Sequence, residues 1–298
     1  MRLTAFTTIT TDAANLYRLT QTPHEHRRWD LRFSEITYLP RKNDTEPQRF
    51  RYATRIGFGM SVQGWGQTVG HPGRRGSSLK FGSEDRKSLI REGSGCWIYD
   101  TAPDGGHVAL STVYDYHVRF GWLGRTIDAV VFRPLMIGAT RWSFDRLRLW
   151  IERDVSPEVL LRLWMVKVVA RVVLGLIWII EGIVPKLLFV APGEVDVVAR
   201  SGLYWPTPML FLHGLGVIEV LGGLWLLWGK AERVAVASAT AAMALLVAMV
   251  VLTEPSCLID PMGGIRKCLA LLPCAMVVWV LSPMTPRADR AARKGSLR

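Results

Sequence analysis

The stretch that decides the fold runs from Trp142 to Lys186. Residues 142–164 read WSFDRLRLWIERDVSPEVLLRLW, and residues 165–186 continue as MVKVVARVVLGLIWIIEGIVPK. The first part is an arginine-rich amphipathic segment. The second follows without a clear break and is apolar enough to enter a bilayer. Everything before this junction reads as water-soluble protein, and everything after it reads as membrane. The expected architecture is therefore a soluble domain joined to a four-helix membrane bundle.

The totals agree with such segregation. The chain has 298 residues, enough for two domains, with 49% hydrophobic and 21% charged residues. Nearly all uninterrupted apolar runs lie after residue 163. A formal net charge of +12 admits nucleic acid, anionic lipid or topology signals beside membrane spans. No basic strip interleaved with aromatics and no nucleic-acid module is present, so no nucleic-acid partner is expected. The arginines crowd the membrane flanks instead, as cytoplasmic loops do. Cys96, Cys257, Cys268 and Cys274 show no metal-ligand spacing. The opening MRLTAFTTITTDAANLY has neither a basic n-region nor an apolar h-region, so the first domain is expected in the cytoplasm, with reduced thiols.

In the soluble half, Asp12 is a plausible N-cap for a short helix and Pro23 opens a second. RFSEITYLP, PQRFRYATRIGFG, SVQGWGQTVG, SSLKF, REGSGCWIYDT and HVALSTVYDYHVRF are β-branched and aromatic runs punctuated by Gly, Pro, Asp and Asn, which predicts an antiparallel meander. In the last run Val113, Asp115, His117 and Arg119 face one way, and Tyr114, Tyr116, Val118 and Phe120 the other. After Gly121 the period becomes helical, giving one long helix with a kink expected at Pro134. The fold class is α+β: a helix-grip domain, a curved antiparallel sheet around a long C-terminal helix, followed by an all-α four-helix transmembrane bundle.

Four motifs, HRRWDLRFSEITYLPR, RFRYATRIGFGMSVQGWGQTVG, KSLIREGSG and FRPLMIGATRWSFDRLRLW, carry a resemblance to the START-like (SRPBCC) superfamily over residues 3–153. The resemblance implies a cavity for a lipid, sterol, polyketide or other apolar ligand, with cyclisation or hydrolysis in a minority of members. Cys96 stands where an aromatic is expected, a departure that would reshape the cavity. Beyond the junction, ARVVLGLIWIIEGIVPKL, HGLGVIEVLGGLWLL and DPMGGIRKCLALL resemble the DoxX-like family of small four-helix bacterial membrane proteins over residues 165–281. Some relatives are quinone-linked subunits of sulfur-oxidising enzymes and others partner redox or stress proteins. Cys268 stands where relatives often have Asn.

Spans are expected at about 163–184, 208–228, 233–252 and 266–282. Lys and Arg number five in residues 141–162, two in 229–233 and five after 282. The opposite loops hold Lys186 and Arg200, then Arg266 and Lys267. This asymmetry puts both termini in the cytoplasm, in a bacterial inner membrane. The domains read as 1–155, 156–286 and a basic tail, 287–298.

Ionisable residues in the spans are the first candidates for chemistry. Glu219 shares a helical face with Gly216 and Gly223; it reads either as a proton-handling or quinone-contacting carboxylate or as an interhelical packing bond. Glu181 and Lys186 could pair with each other or with Glu219, or Lys186 could snorkel to the surface. Arg171 lies ten residues from Glu181, about 15 Å along the helix, so it needs a partner elsewhere, such as a lipid phosphate. His213 precedes Glu219 by six residues and points elsewhere. In the soluble half, Arg32, Glu35, Trp97, Tyr114, Asp115 and Arg119 are the candidates to line the cavity, in a register the pattern leaves open. His24-Glu25-His26 reads as a solvated helix face, because i and i+2 point apart. Gly57-Phe58-Gly59 and Gly64-Trp65-Gly66 read as strand bends, and Gly93-Ser94-Gly95 lacks the flanks of a nucleophile elbow. No catalytic residue, metal or cofactor is evident.

The first functional expectation is a non-enzymatic membrane protein that captures an apolar small molecule, with membrane lipids as partners and the Arg146–Arg162 collar on anionic headgroups. The second is an enzyme or redox subunit, with a quinone in the bundle and an external redox partner protein. A scaffold with an unfilled cavity is a third. Homo-oligomerisation through glycine-lined faces is left open, as is pairing of Cys257 with Cys268.

Overall fold

The structure is a computed structural model that describes residues 1–43, 45–57, 59–69, 76–103, 105–259 and 264–290. It divides into two compact units, Met1–Leu160 with the segment from Pro286, and Leu161–Thr285. The first unit thus ends five residues beyond the expected boundary at 155. It also takes in the start of the basic tail, of which 291–298 lie outside the described residues.

The N-terminal unit is an open seven-stranded antiparallel sheet, ordered β1-β7-β6-β5-β4-β3-β2. Its strands are β1 (Arg2–Ile9), β2 (Glu35–Tyr38), β3 (Arg49–Gly57), β4 (Met60–Thr68), β5 (Gly76–Gly82), β6 (Ile90–Thr101) and β7 (Val108–Val118). Helices α1 (Ala13–Gln21) and α2 (Pro23–Trp29) intervene between β1 and β2. Asp12 caps α1 by accepting from the Asn15 N–H at 2.8 Å, and Pro23 sits in the first turn of α2. Period-two alternation holds in β7, where Thr112 and Tyr116 are buried while Asp115 and His117 are exposed. The core lies where β1, β6 and β7 meet α1, α2 and the long helix α4 (Arg133–Arg153): Ile9, Trp29, Trp97, Leu110, Phe144 and Leu147 interlock there. This is the helix-grip arrangement.

The expected single long helix is divided. It begins as α3 (Gly121–Ile127), widens into a π-helical turn at Asp128–Phe132, and resumes as α4. Pro134 therefore stands in the first turn of α4 and does not kink its interior. A proline ring clashes with the carbonyl four residues back and offers no N–H, and the i→i+5 bonding of the preceding π turn removes both conflicts.

Glycine has a specific task in this sheet. Phe50 faces Gly66, Tyr52 faces Gly64, Phe81 faces Gly93 and Tyr114 faces Gly95 across the strand ladders. A Cβ would lie 2.1 Å from the Phe50 ring at Gly66, and 2.3 Å from the Tyr52 and Tyr114 rings at Gly64 and Gly95. The rings thus lie across bare backbone. Gly57 and Gly59, with φ of 96° and 74°, belong to the β3–β4 hairpin, so the first glycine pair makes a turn and the second an aromatic seat.

The C-terminal unit has four helical stretches long and apolar enough to cross a membrane: Pro157–Leu188, Pro208–Trp228, Glu232–Thr253 and Gly264–Leu281. The first comprises α5 (Pro157–Ile183) and a π turn at Val184–Leu188. Next come α6 (Pro192–Ser201), α7 (Pro208–Trp228) and α8 (Glu232–Thr253). The last contains α9 (Gly264–Cys268) and α10 (Leu271–Leu281). Cys257 and Cys268 are free thiols in this structure.

Two heptad-spaced glycine pairs seat α5 on α7. A Cβ at Gly182 would stand 2.5 Å from the Gly216 carbonyl oxygen, and one at Gly223 would stand 2.6 Å from that of Gly175. Without side chains there the backbones make the close van der Waals contact that drives association inside lipid. Gly182→Val is expected to force the helices apart and lower stability by ~1–3 kcal/mol, read as a lower thermal unfolding midpoint of the full chain in detergent.

Candidate functional site

The N-terminal site grows from WDLR at residues 29–32. Asp30 closes α2, and its carboxylate is fully enclosed. Arg32 bonds it side-on, Nε to Oδ1 at 2.9 Å and Nη2 to Oδ2 at 2.6 Å. His26, one turn back, reaches Oδ2 with Nε2 at 3.0 Å. Burial pushes the Asp30 carboxyl up, but Arg32 and His26 outweigh it and hold it well below the usual carboxylate range. Arg32 lies over the Phe33 and Tyr114 rings, 5.5 and 5.4 Å from their centroids. Trp97 donates from Nε1 to the Tyr114 hydroxyl at 2.8 Å and packs edge-on to Trp29, His26 and Phe144.

Of the cavity candidates the structure therefore brings together Arg32, Trp97 and Tyr114. It separates the other three. Glu35 and Asp115 are exposed, and Arg119, just past β7, donates to the Ser83 and Asp85 carbonyls and ties down that loop. Cys96 faces away from Trp97 on β6, so it does not reshape the inner face. His26 is not on a solvated face: it stacks on Trp29 at 4.9 Å and bonds Asp30, whereas His24 is exposed. Asp30 escaped the sequence reading, although an acid two residues before an arginine in an apolar context was the available signal.

The remainder of the inner face lies outside this core. Beyond Trp97 toward β3, Tyr52, Leu79, Phe81, Gly93 and Gly95 are only half-buried and lie outside the core. The Tyr52 hydroxyl group is pushed up to about 12 by burial alone. This face is a concave aromatic and glycine floor, with the Asp30–Arg32 pair at its closed end.

In the bundle the charges resolve into two clusters. Lys186 is buried, not snorkelling: Nζ lies 3.1 Å from Glu219 Oε2 and 3.5 Å from Glu194 Oε2, and donates to the Glu181 carbonyl at 3.2 Å. The Glu181 side chain itself is exposed. Glu219 sits between Gly216 and Gly223 on the face that meets α5, and its Oε2 has the ion contact without hydrogen-bond geometry. Glu194, on α6, is raised by burial against the opposing pull of Lys186. His213 is half-buried, about 120° around α7 from Glu219.

The second cluster was not foreseen. Glu232, first residue of α8, receives Lys167 Nζ on Oε2 at 2.8 Å and Arg171 Nη1 on Oε1 at 2.5 Å. The Ser282 hydroxyl donates to Oε2 at 2.9 Å. Arg171 thus pairs with protein, not with a lipid phosphate, and Gly229 leaves room for its guanidinium. The charge count over residues 229–233 took in only Lys230 and Arg233; the position of Glu232 one turn from Gly229 was the missed signal. Lys167 and Lys186 are 19 residues apart, roughly 28 Å along the helix, close to a bilayer's apolar thickness. Arg146 likewise turns inward from the expected collar: it donates to the Pro157 carbonyl at 2.9 Å, and burial draws it down to about 10, still a cation at neutral pH. Among the described residues no group of three His, Cys, Asp or Glu side chains is placed to hold a metal ion.

Comparison with known proteins gives the same division. Residues 175–279 match the DoxX-like family. The chain is 48% identical over 151 residues to the uncharacterized membrane protein YndG of Bacillus subtilis, a stretch that is 49% of this chain. It spans 56% of the length of that relative. The N-terminal region is similar to a START superfamily protein from Mycobacterium smegmatis, at 12% identity over 52% of this chain and 99% of that one, with a TM-score of 0.40. It is also similar to the Zhui aromatase/cyclase from Streptomyces sp. R1128, at 15% identity over 46% and 87%, with a TM-score of 0.38.

Two outcomes are expected of the ion pairs. Glu232→Gln removes the anion that Lys167 and Arg171 share and lowers stability in detergent by ~3–5 kcal/mol; Glu219→Gln costs less, because Lys186 keeps Glu194. Arg32→Leu strands the Asp30 carboxylate. In the native chain the depressed Asp30 stabilises above about pH 3.9 and that contribution fades as pH falls through its folded value. In the variant the carboxyl is raised instead, so the deficit is largest near neutral pH and shrinks on acidification. Urea unfolding followed by tryptophan fluorescence at about pH 7.5 and about pH 4.5 measures the difference.

Proposed function

We propose that the N-terminal unit binds an apolar small molecule, lipid-like or aromatic, on the inner face of its sheet, within a bacterial inner-membrane protein whose DoxX-like bundle keeps it at the bilayer. The observation that carries this reading is the half-buried floor of Tyr52, Leu79, Phe81, Gly93 and Gly95, outside the packed core and beside the closed end at Arg32. Apolar surface left open on a concave sheet face is favourably covered by a ligand. The glycines keep the floor low, and the aromatic rings offer flat contact area with little rotamer entropy to lose. At the closed end, Tyr114 and Arg32 supply the few polar groups that would orient such a molecule. No step of bond chemistry is assigned.

Attachment to a membrane gives the capture a physical advantage. A site held beside the bilayer meets lipid-soluble molecules at a high effective concentration, without diffusion through water. The bundle's buried charges support a structural role for Glu219, whose carboxylate is engaged by Lys186.

Native mass spectrometry of the full chain, followed by solvent extraction, tests the proposal. An apolar molecule is expected to co-purify, and Leu79→Trp, which fills the floor, is expected to lose most of it without a change in thermal midpoint. Retention by the variant sinks the reading. A quinone that is lost on Glu219→Gln and kept by Leu79→Trp moves the function to a redox role of the bundle with an external partner.

A further inference from the structure

The segment linking β7 to α4 has an unusual surface. Trp122, Leu123, Ile127, Val130, Val131 and Leu135 are all exposed, Trp122 to 73%, Val130 to 71% and Leu135 to 66%. Their numbers, 122 and 123, then 127, then 130 and 131, then 135, follow a four-residue rhythm. Gly124 and Asp128, buried at the same interval, mark the opposite side. In a regular α-helix a four-residue repeat drifts by about 40° per step. The wider π turn at Asp128–Phe132 rotates the chain the other way and keeps the stripe straight.

The charges on this segment have one exposed sign. Residues 119–144 contain Arg119, Arg125, Arg133 and Arg141 and a single acid, Asp128. That acid is fully buried, accepting from the Tyr116 hydroxyl at 2.6 Å and from Arg133 Nε at 3.0 Å. What remains outside is a row of large apolar side chains beside cationic Arg125. An apolar stripe with tryptophan at one end and no exposed acid is the pattern of a helix that lies in a headgroup layer. The same helix α4 also receives both chain segments that lead to the spans. Arg146 holds the start of α5 through Pro157, and Asp145 accepts from the Arg287 N–H at 2.9 Å.

We propose that the stripe Trp122–Leu135 is a membrane-contact surface, by which the N-terminal unit rests on the anionic bilayer that the bundle spans. The apolar side chains enter the acyl boundary, and Arg125 meets lipid phosphate. The surface is independent of the inner-face ligand reading, since it lies on a different element.

Photo-crosslinking of the full chain in nanodiscs of phosphatidylethanolamine and phosphatidylglycerol tests the proposal. p-Benzoylphenylalanine is placed at Val130, and at exposed Arg55 on β3 as the control. The expected result is a lipid adduct by intact mass at position 130, about ten-fold above that at position 55. A cross-linked second copy makes the stripe a homo-oligomer interface and overturns the proposal. Equal lipid adducts at the two positions, or none at 130, overturn it as well. Both substitutions replace exposed side chains, so the fold is retained, which the thermal midpoint checks.

Discussion

A cation cannot stay in hydrocarbon without an anion beside it, and past its opening turns the first span of this protein carries Lys167, Arg171 and Lys186. Much of the bundle's organisation answers that constraint. Glu232 opens α8 where it receives Lys167 and Arg171 together, and Ser282 at the end of α10 completes the carboxylate's coordination. Glu219 answers Lys186 from α7. Two helices are thus fixed against the first by charge, and α10 is tied to them through the Ser282 hydrogen bond. Isolated charges at such depths would be expensive, so the pairs determine which helix faces meet.

The glycines make those pairs reachable. Gly175 with Gly223 and Gly182 with Gly216 bring α5 and α7 to backbone contact, and Glu219 lies between the two glycines of its own helix. Larger residues there would separate the helices by the width of a side chain and leave the Lys186–Glu219 contact without its distance. Glycine does related work in the sheet, where it admits the rings of Phe50, Tyr52 and Tyr114 onto bare backbone. In one unit its absence of a side chain draws helices together. In the other it lowers the floor of a concave face.

The two ends of the N-terminal sheet differ in kind. At β1 and β7 the inner face is closed by Trp29, Phe144 and Leu147, a packed core that gives α4 its seat. At β3 to β5 the same face carries half-buried aromatics and glycines, with no helix over them in the core. The buried Asp30–Arg32 pair stands at the boundary between them. Stability and candidate function are therefore adjacent on one sheet, separated by a few residues in the strand ladder.

The sequence by itself determined the division into two units, the strand meander with its glycine and aromatic punctuation, and the four apolar spans. Each of these is written in local composition and period, which burial and lipid read directly. It also marked Glu219 and Lys186 as costly groups in need of partners. The partners themselves were decided by tertiary structure: Glu232 for Arg171, Asp30 for Arg32 and His26, the backbone of Ser83 and Asp85 for Arg119. An ion pair between residues 61 positions apart, as Arg171 and Glu232 are, depends on which helix faces meet, and no local pattern records that. The same holds for Asp115, which shares β7 with Tyr114 but points to water. A one-residue change of register exchanges the two faces of a strand, so only the assembled sheet could say which side chains look inward.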